Sequence, residues 1–240
     1  MKAMIFAAGL GTRLKPITDS IPKALLPIGG KTLLEWQLLK LKAAGITDVV
    51  INIHHFPLQI VDFCREHNLG MNIRFSDESQ MLLETGGGLK KAQTLLGDDE
   101  PILICNVDVL SNIDIPSLIA AHQPDSLATI VVSERDTQRY FLFDDTLRLA
   151  GWTNVKTAEV KPAGLNSEGL RRLAFSGMHI VSPAIFRVMA AYPDKFSITD
   201  FYIEQCAEHT IRAYVPTNYR MMDIGKIDHL QEAEEFAATL

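Results

Sequence analysis

Cysteine is scarce in this 240-residue chain: Cys64, Cys105 and Cys206 are widely spaced and form no Cys-x-x-Cys. An odd, scattered set builds neither a disulfide frame nor a zinc site, so the thiols read as reduced and structural. Long apolar runs are missing as well. No stretch approaches the 18 or so residues, roughly, that a membrane-spanning helix needs. The opening "MKAMIFAAG" is too short in apolar residues for a secretory leader, and charge returns at Arg13. A cytoplasmic protein with no membrane attachment is the expectation. Positive charge is in deficit, with 23 Lys and Arg against 29 Asp and Glu and a net charge of −6. That counts against a nucleic-acid partner, which asks for a basic surface. It leaves room for a local cationic pocket that takes a phosphorylated small molecule. Linkers, repeats and low-complexity runs are absent too. The expectation is one domain over 1–240, with halves at 1–125 and 126–240.

What is present alternates. "AMIFAA" (3–8) reads as a buried strand ending in a glycine loop. "TLLEWQLLKLKAAG" opens with the capping pattern Thr32-x-x-Glu35 and stops at Gly45, which predicts a helix. "DVVINIHH" (48–55) is a strand. The segment 58–70 is an amphipathic helix stopped by Asn68-Leu69-Gly70, and 71–77 is a strand. A helix over 88–97 and a strand over 101–110 follow. Strands alternating with helices predict an α/β fold: a Rossmann-like mixed, mostly parallel sheet with helices on both faces. Beyond residue 125 the pattern turns β-rich. Strands are expected at 126–133 and 173–182, with a hairpin around Asp144-Asp145 and a polar, irregular stretch over 155–172. Helices from Pro183 and over 200–209, a strand at "IRAYVPT" and a terminal helix complete the chain. This half reads as carrying a small β-rich insertion.

In open α/β sheets, ligands bind at the carboxyl ends of strands. Three polar or glycine-rich stretches, 9–23, 83–88 and 106–108, all follow predicted strands. The first begins Gly9-Leu10-Gly11-Thr12-Arg13-Leu14. A dinucleotide fingerprint wants a third glycine where Leu14 stands and a helix at once, but Pro16 and Pro22 intervene. A redox Rossmann enzyme is disfavoured on those grounds. "GGKT" at 29–32 imitates the end of a phosphate loop, but Leu25 stands where its first glycine belongs. Gly30-Lys31-Thr32 is then a turn plus a helix cap. What remains is a long ordered loop whose glycines let backbone approach a ligand. Arg13 and Lys23 add two cations suited to phosphate.

The stretch "AAGLGTRLKPIT…IPKALLPIGGKTLLEW" resembles the N-terminal signature of the sugar-1-phosphate nucleotidyltransferases. "LETGGGLKKA", the strand end "ILICNVDVL", "LAFSGMHIVSPAIF" and "MMDIGKIDHLQEAE" resemble later segments of the same family, so the likeness covers nearly the whole chain. "LLETGGG" and the chain length are most similar to members acting on N-acetylmuramic acid 1-phosphate with UTP and to short mannose-1-phosphate guanylyltransferases. The resemblance implies the nucleotide-diphospho-sugar transferase fold. It also implies a Mg²⁺-dependent transfer that joins a nucleoside triphosphate, UTP favoured, to a sugar 1-phosphate and releases pyrophosphate. Residues 1–125 would bind the nucleotide, and the insertion in 126–240 would bind the acceptor.

By the same resemblance, Asp108 and Asp223 hold the metal, and Arg13, Lys23 and Asp108 are the catalytic set. Ala8, Gly9, Gly11, Thr12, Arg13, Lys23, Glu84, Gly87, Gly88 and Asn106 would contact the nucleotide. The run Gly86-Gly87-Gly88 suits close approach to a flat base. Glu159, Lys161, Ser176 and Gly177 would contact the sugar phosphate. Three positions depart from the family pattern. Val107 replaces a glycine, which would narrow the space beside Asp108. Met221 replaces an aromatic, and Lys226 replaces a threonine. Two other functions share features with this reading. A phosphocholine cytidylyltransferase would use aromatics such as Trp152 and Tyr140 around its quaternary ammonium. A catalytically inactive nucleotide-sugar sensor would lack one of the four charged groups, and all four are present. Monomer and dimer both stay open.

Overall fold

The computed structural model describes residues 1–67 and 69–240. The N-terminal apolar run forms strand β1 (Lys2–Phe6). After the glycine loop come two-residue strands β2 (Pro27–Ile28) and β3 (Lys31–Thr32), then helix α1 (Leu33–Ala43). The Thr32 hydroxyl accepts from the Glu35 amide at 3.1 Å, as the capping pattern requires, a contact worth about 1 kcal/mol. β4 (Asp48–Ile53), α2 (Pro57–Glu66), β5 (Asn72–Asp77) and α3 (Glu84–Leu96) continue the alternation. The stop expected at Asn68 lies outside the described residues. β6 (Ile102–Asn106), β7 (Val109–Ser111) and α4 (Ile115–Ala121) close the first half.

The second half begins with β8 (Ala128–Ser133) and the hairpin β9 (Arg139–Phe143) and β10 (Leu149–Asn154). The polar stretch after it holds a short strand, β11 (Glu159–Lys161). β12 (Arg171–Val181), α5 (Ile185–Met189), α6 (Ile198–Gln205), β13 (Ile211–Tyr214), β14 (Met221–Asp223) and α7 (Leu230–Ala237) finish the chain.

The main sheet runs β11-β10-β9-β12-β6-β1-β4-β5, with β8 and β13 branching from β12. β6, β1, β4 and β5 are parallel. The residues of β6, β1 and β4 serve two cores in alternation. Ala3 and Ile5 of β1 face a core shared with α1, α2, α4 and α7, while Met4 and Phe6 face one shared with α3, α5 and α6. Burial on both faces is why these strands read as unbroken apolar runs. The eleven-residue β12 joins the halves. Its C-terminal part pairs antiparallel with β6, and its N-terminal part pairs with β9, extending the sheet into the β9–β10–β11 insertion. All three cysteines are buried and unpaired, and burial pushes the Cys64 and Cys105 thiols up to about 12. No helix among the described residues is long and apolar enough to cross a membrane.

α3 starts four residues earlier than its helical periodicity predicts, so the glycine run lies inside its first turns and not in a turn before it. The cause is a close contact with the segment before α6. The amides of Gly86 and Gly87 both donate to the Phe196 carbonyl, at 2.9 and 3.1 Å. A Cβ on Gly86 would meet the Phe196 ring at 2.4 Å, and one on Gly87 the Asp194 carbonyl at 2.0 Å. These two glycines therefore admit the Phe196 ring and the Asp194 backbone.

His179, on β12, is fully buried, with the Tyr202 hydroxyl 2.7 Å from its Nδ1. Burial holds its pKa down to about 3, against 6.5 when exposed. The unfolded chain therefore takes up a proton below pH 6.5 that the folded chain refuses. Stability present at neutral pH is lost as pH falls, by about 1.4 kcal/mol per pH unit at most from this one group. Urea unfolding of wild type and His179→Gln between pH 7 and 4.5 measures this: the slope is expected to be steeper in wild type by close to one proton.

Candidate active site

At the carboxyl end of β1 the chain turns through the glycine loop. The loop is ordered, with short 3-10 turns at Thr12–Leu14, Ile17–Asp19 and Lys23–Leu25. Gly11 sits at φ +63°, and a Cβ there would lie 2.8 Å from the Thr18 side chain, whose hydroxyl donates to the Gly11 carbonyl at 2.9 Å. Gly9 is different, because a Cβ on it would meet nothing within 4 Å. Its missing side chain leaves open space on the ligand side.

That space is a cavity of about 320 Å³ lined by Ala8, Gly9, Gly11, Thr12, Arg13, Lys23, Glu84, Asn106 and Asp108, among others. Nine of the residues the resemblance implied thus converge from three strand ends. Gly87 and Gly88 do not line it. A Cβ on Gly88 would meet the Glu78 carboxylate at 2.7 Å and the Asn52 amide at 3.0 Å, so this glycine too serves internal packing.

Asn52 and Glu78 also line the cavity. The Asn52 carbonyl oxygen accepts from the amides of Ala7 and Ala8 at 2.7 and 3.3 Å, and its nitrogen donates to Glu78 at 2.7 Å. The other Glu78 oxygen accepts from the Leu83 amide at 3.1 Å. This buried pair therefore ties the start of the glycine loop to the segment that carries Glu84. Burial raises the Glu78 pKa above the usual carboxylate range, while its two hydrogen bonds oppose the shift. The sequence signal was slight: one Asn near the end of an apolar strand and one Glu just after another.

Asp108 stands between β6 and β7 and forms an ion pair with Lys23, which is only 8% exposed. Two contacts fix the backbone around it. The buried Gln37 side chain of α1 donates to the Val109 carbonyl at 2.7 Å, and the Ile224 amide donates to the Asp108 carbonyl at 2.8 Å. β14 pairs with β7 and sets Asp223 opposite Val109, so two carboxylates far apart in sequence share one place. Burial first, and the Asp108 charge second, raise the Asp223 pKa, although Asp223 stays open to solvent on its outer side. Lys23, Arg13 and Arg135 oppose that shift. Gly225 lets Arg13 lie close by, since a Cβ there would be 3.0 Å from the guanidinium.

The donor set suits Mg²⁺. Two like-charged carboxylates sit together, and among the described residues no group of three His, Cys, Asp or Glu gathers to fill a metal shell alone. Magnesium takes one or two carboxylates and completes its shell with phosphates and water.

A second cavity, about 700 Å³, adjoins the first and shares Arg13 with it. Its floor is the face of the β9–β10–β11 sheet. Arg139, Asn154 and Glu159 form one cross-strand row, and Phe141, Trp152 and Lys161 form the next. The Lys161 ammonium lies 3.7 Å from both Glu159 and Asp200 and 5.4 Å from the centre of the Trp152 ring. Asp223 and Arg135 complete the wall toward the first cavity.

Ser176 and Gly177 are not brought to this cavity. Ser176 is fully buried, 3.5 Å from the Ser133 hydroxyl. Gly177, at φ +72°, occupies a register shift in β12 and lets the Asn106 side chain pack against it. Val107 lines the first cavity beside Asp108 and is 4% exposed, packing at the same time into the first core. Lys226 is exposed and lines neither cavity. Arg135 and Arg139 were not singled out by sequence. Arg135 lies just past the strand expected at 126–133, and Arg139 at the start of the hairpin around Asp144-Asp145.

Comparison with known proteins agrees with this geometry. The Nucleotidyl transferase family profile matches residues 2–239. The chain is 44% identical over 133 residues to the N-acetylmuramate alpha-1-phosphate uridylyltransferase of Neisseria meningitidis serogroup B, a match covering 51% of this chain and 57% of that protein. It is 33% identical over 195 residues to the enzyme of the same name from Caulobacter vibrioides, covering 76% of each. The fold superposes on a UDP-glucose pyrophosphorylase complexed with UDP-glucose, with a TM-score of 0.78 and 21% identity, over all of this chain and 99% of that one. On the loop, the strand-end carboxylates and the full-length profile match together, this chain belongs to the nucleotidyl transferase family, and its relatives are sugar-1-phosphate nucleotidyltransferases.

Proposed function

We propose that the protein transfers a nucleoside monophosphate from its triphosphate to a sugar 1-phosphate, with UTP and N-acetylmuramate 1-phosphate as the substrates its relatives' names favour. The observation that carries the reading is Arg13. It lines both cavities, so the two ligands' phosphates would meet where Arg13, Lys23, Asp108 and Asp223 gather.

A phosphate oxygen of the sugar 1-phosphate attacks the α-phosphorus, forming the new P–O bond as the bond to the bridging oxygen of pyrophosphate breaks. A phosphate monoester has its second pKa near about 6, so the attacking group is already ionised at neutral pH and no general base is needed. The protein's work is positioning and charge neutralisation. Lys23 meets the α-phosphate and Arg13 the leaving phosphates. The backbone at Gly9 and Gly11 and the Glu84 side chain border the nucleoside. Mg²⁺, held by Asp108 and Asp223, would supply further charge neutralisation between the two anions. Lys161 meets the acceptor phosphate, with Glu159 facing the sugar hydroxyls.

A GTP-dependent reading has one observation behind it. The Glu84 carboxylate at the cavity wall can accept from guanine N1–H and N2–H as well as from uracil N3–H. Phosphocholine fits poorly. Lys161 already lies over Trp152, Arg135 and Arg139 share the cavity, and Tyr140 is outside its lining. A quaternary ammonium would enter among like charges. The test is pyrophosphate release with each of the four nucleoside triphosphates against a panel of sugar 1-phosphates with Mg²⁺. Release is expected with UTP and N-acetylmuramate 1-phosphate. Preference for GTP with mannose 1-phosphate would replace the substrate assignment, and no release with any pair would leave a nucleotide-sugar sensor as the better account.

A further inference from the structure

The acceptor cavity contains one cation that no neighbouring side chain engages. Its lining carries four cations, Arg13, Arg135, Arg139 and Lys161, against three carboxylates. Three of the cations have work. Arg13 lies at the phosphate junction. Arg135 acts on Asp223 and donates to the Phe175 carbonyl at 3.0 Å. Lys161 is held between Glu159 and Asp200. The Arg139 side chain makes no hydrogen bond or ion pair among the described residues.

Its neighbour is equally unspent. Asn154 faces Arg139 directly across the β9–β10 ladder. The Asn154 carbonyl oxygen accepts from the Lys156 amide at 3.0 Å, which fixes the amide's orientation and leaves its NH₂ as a donor with no partner among the described residues. A guanidinium fork beside a free amide donor, on a rigid sheet, is a receptor for a planar anion. Arg139 and Asn154 lie one cross-strand row beyond Lys161, which is placed at the acceptor phosphate, so the anion they suit is a second group on the acceptor.

From this we infer that Arg139 and Asn154 bind a carboxylate borne by the sugar itself, and that the protein selects sugar 1-phosphates carrying a carboxylic acid. The inference rests on the nucleotidyltransferase reading and its proposed acceptor, and adds the residues that read the acceptor's carboxylate. N-acetylmuramate 1-phosphate belongs to that class. N-acetylglucosamine 1-phosphate is the same sugar without the lactyl acid, which makes the two a matched pair.

The experiment measures kcat and KM for both acceptors at saturating UTP, in wild type, Arg139→Ala, Arg139→Lys and Asn154→Asp. Arg139→Ala is expected to lower the ratio of kcat/KM, carboxylated over uncarboxylated, by about tenfold or more, the scale of one charge-assisted hydrogen bond. The change should fall in KM. Arg139→Lys keeps a charge without the fork and recovers part of the ratio. Asn154→Asp keeps the acceptor oxygen for Lys156, sets a like charge against the carboxylate and lowers the ratio further. A ratio unmoved by all three variants overturns the inference, as does equal weakening of both acceptors. Wild type that uses only uncharged sugar 1-phosphates overturns it while the transferase reading stands. No pyrophosphate with any acceptor overturns both.

Discussion

Asp108→Asn lowers the rate of pyrophosphate release by about a thousandfold or more while the protein stays folded. The substitution keeps the side chain's shape. The backbone around Asp108 is held by the Ile224 amide and by Gln37 at Val109, and none of these bonds involves the carboxylate. The fold keeps both of these contacts. The reaction loses one of the two carboxylates assigned to Mg²⁺, and electrostatic preorganisation is usually the largest part of a catalytic barrier reduction. Lys23 loses its only ion-pair partner among the described residues at the same time, and it is nearly buried. Initial rates with circular dichroism melting separate the two effects. Activity within about tenfold of wild type would remove Asp108 from the site's chemistry.

Lys23→Met is the second large effect. Methionine keeps an unbranched apolar stem under Gly11, where a Cβ on the glycine would lie 3.2 Å from the Lys23 Cβ, so the loop keeps its support. The ammonium is gone, and with it the charge proposed to meet the α-phosphate. A fall in kcat of about 10²- to 10³-fold is expected. Lys23→Arg is not expected to rescue it, because a wide planar guanidinium replaces a compact charge in a nearly buried place. Full activity in Lys23→Met would show that the lysine only balances Asp108.

Much of the first half was legible because each signal was local. β1, α1 and β4 follow from apolar run and cap, and the glycine loop announces itself by what it lacks as a dinucleotide fingerprint. The start of α3 was not legible. Three glycines lower helix propensity, and what offsets this is a contact with Phe196 more than a hundred residues away. Long-range pairing also hid the ribbon of β7 and β14, two three-residue strands that no periodicity marks, although it helps bring Asp223 to Asp108. Ser176 was placed at the sugar phosphate by resemblance alone. The register shift in β12 between Phe175 and His179 turns its side chain inward, since a one-residue slip exchanges the faces of a strand. Asn52, Glu78 and Gln37 went unread for a simpler reason. Each is a single polar residue whose meaning lies in the backbone atoms it holds.

The central claim is that two anionic ligands meet at the Arg13 junction and that one attacks the other directly. Pyrophosphate release from UTP, followed with and without N-acetylmuramate 1-phosphate, tests it in one measurement. The account predicts release only when the acceptor is present, with one pyrophosphate formed per acceptor consumed. Release of the same size without acceptor would mean that water is the nucleophile, and that result would contradict the account.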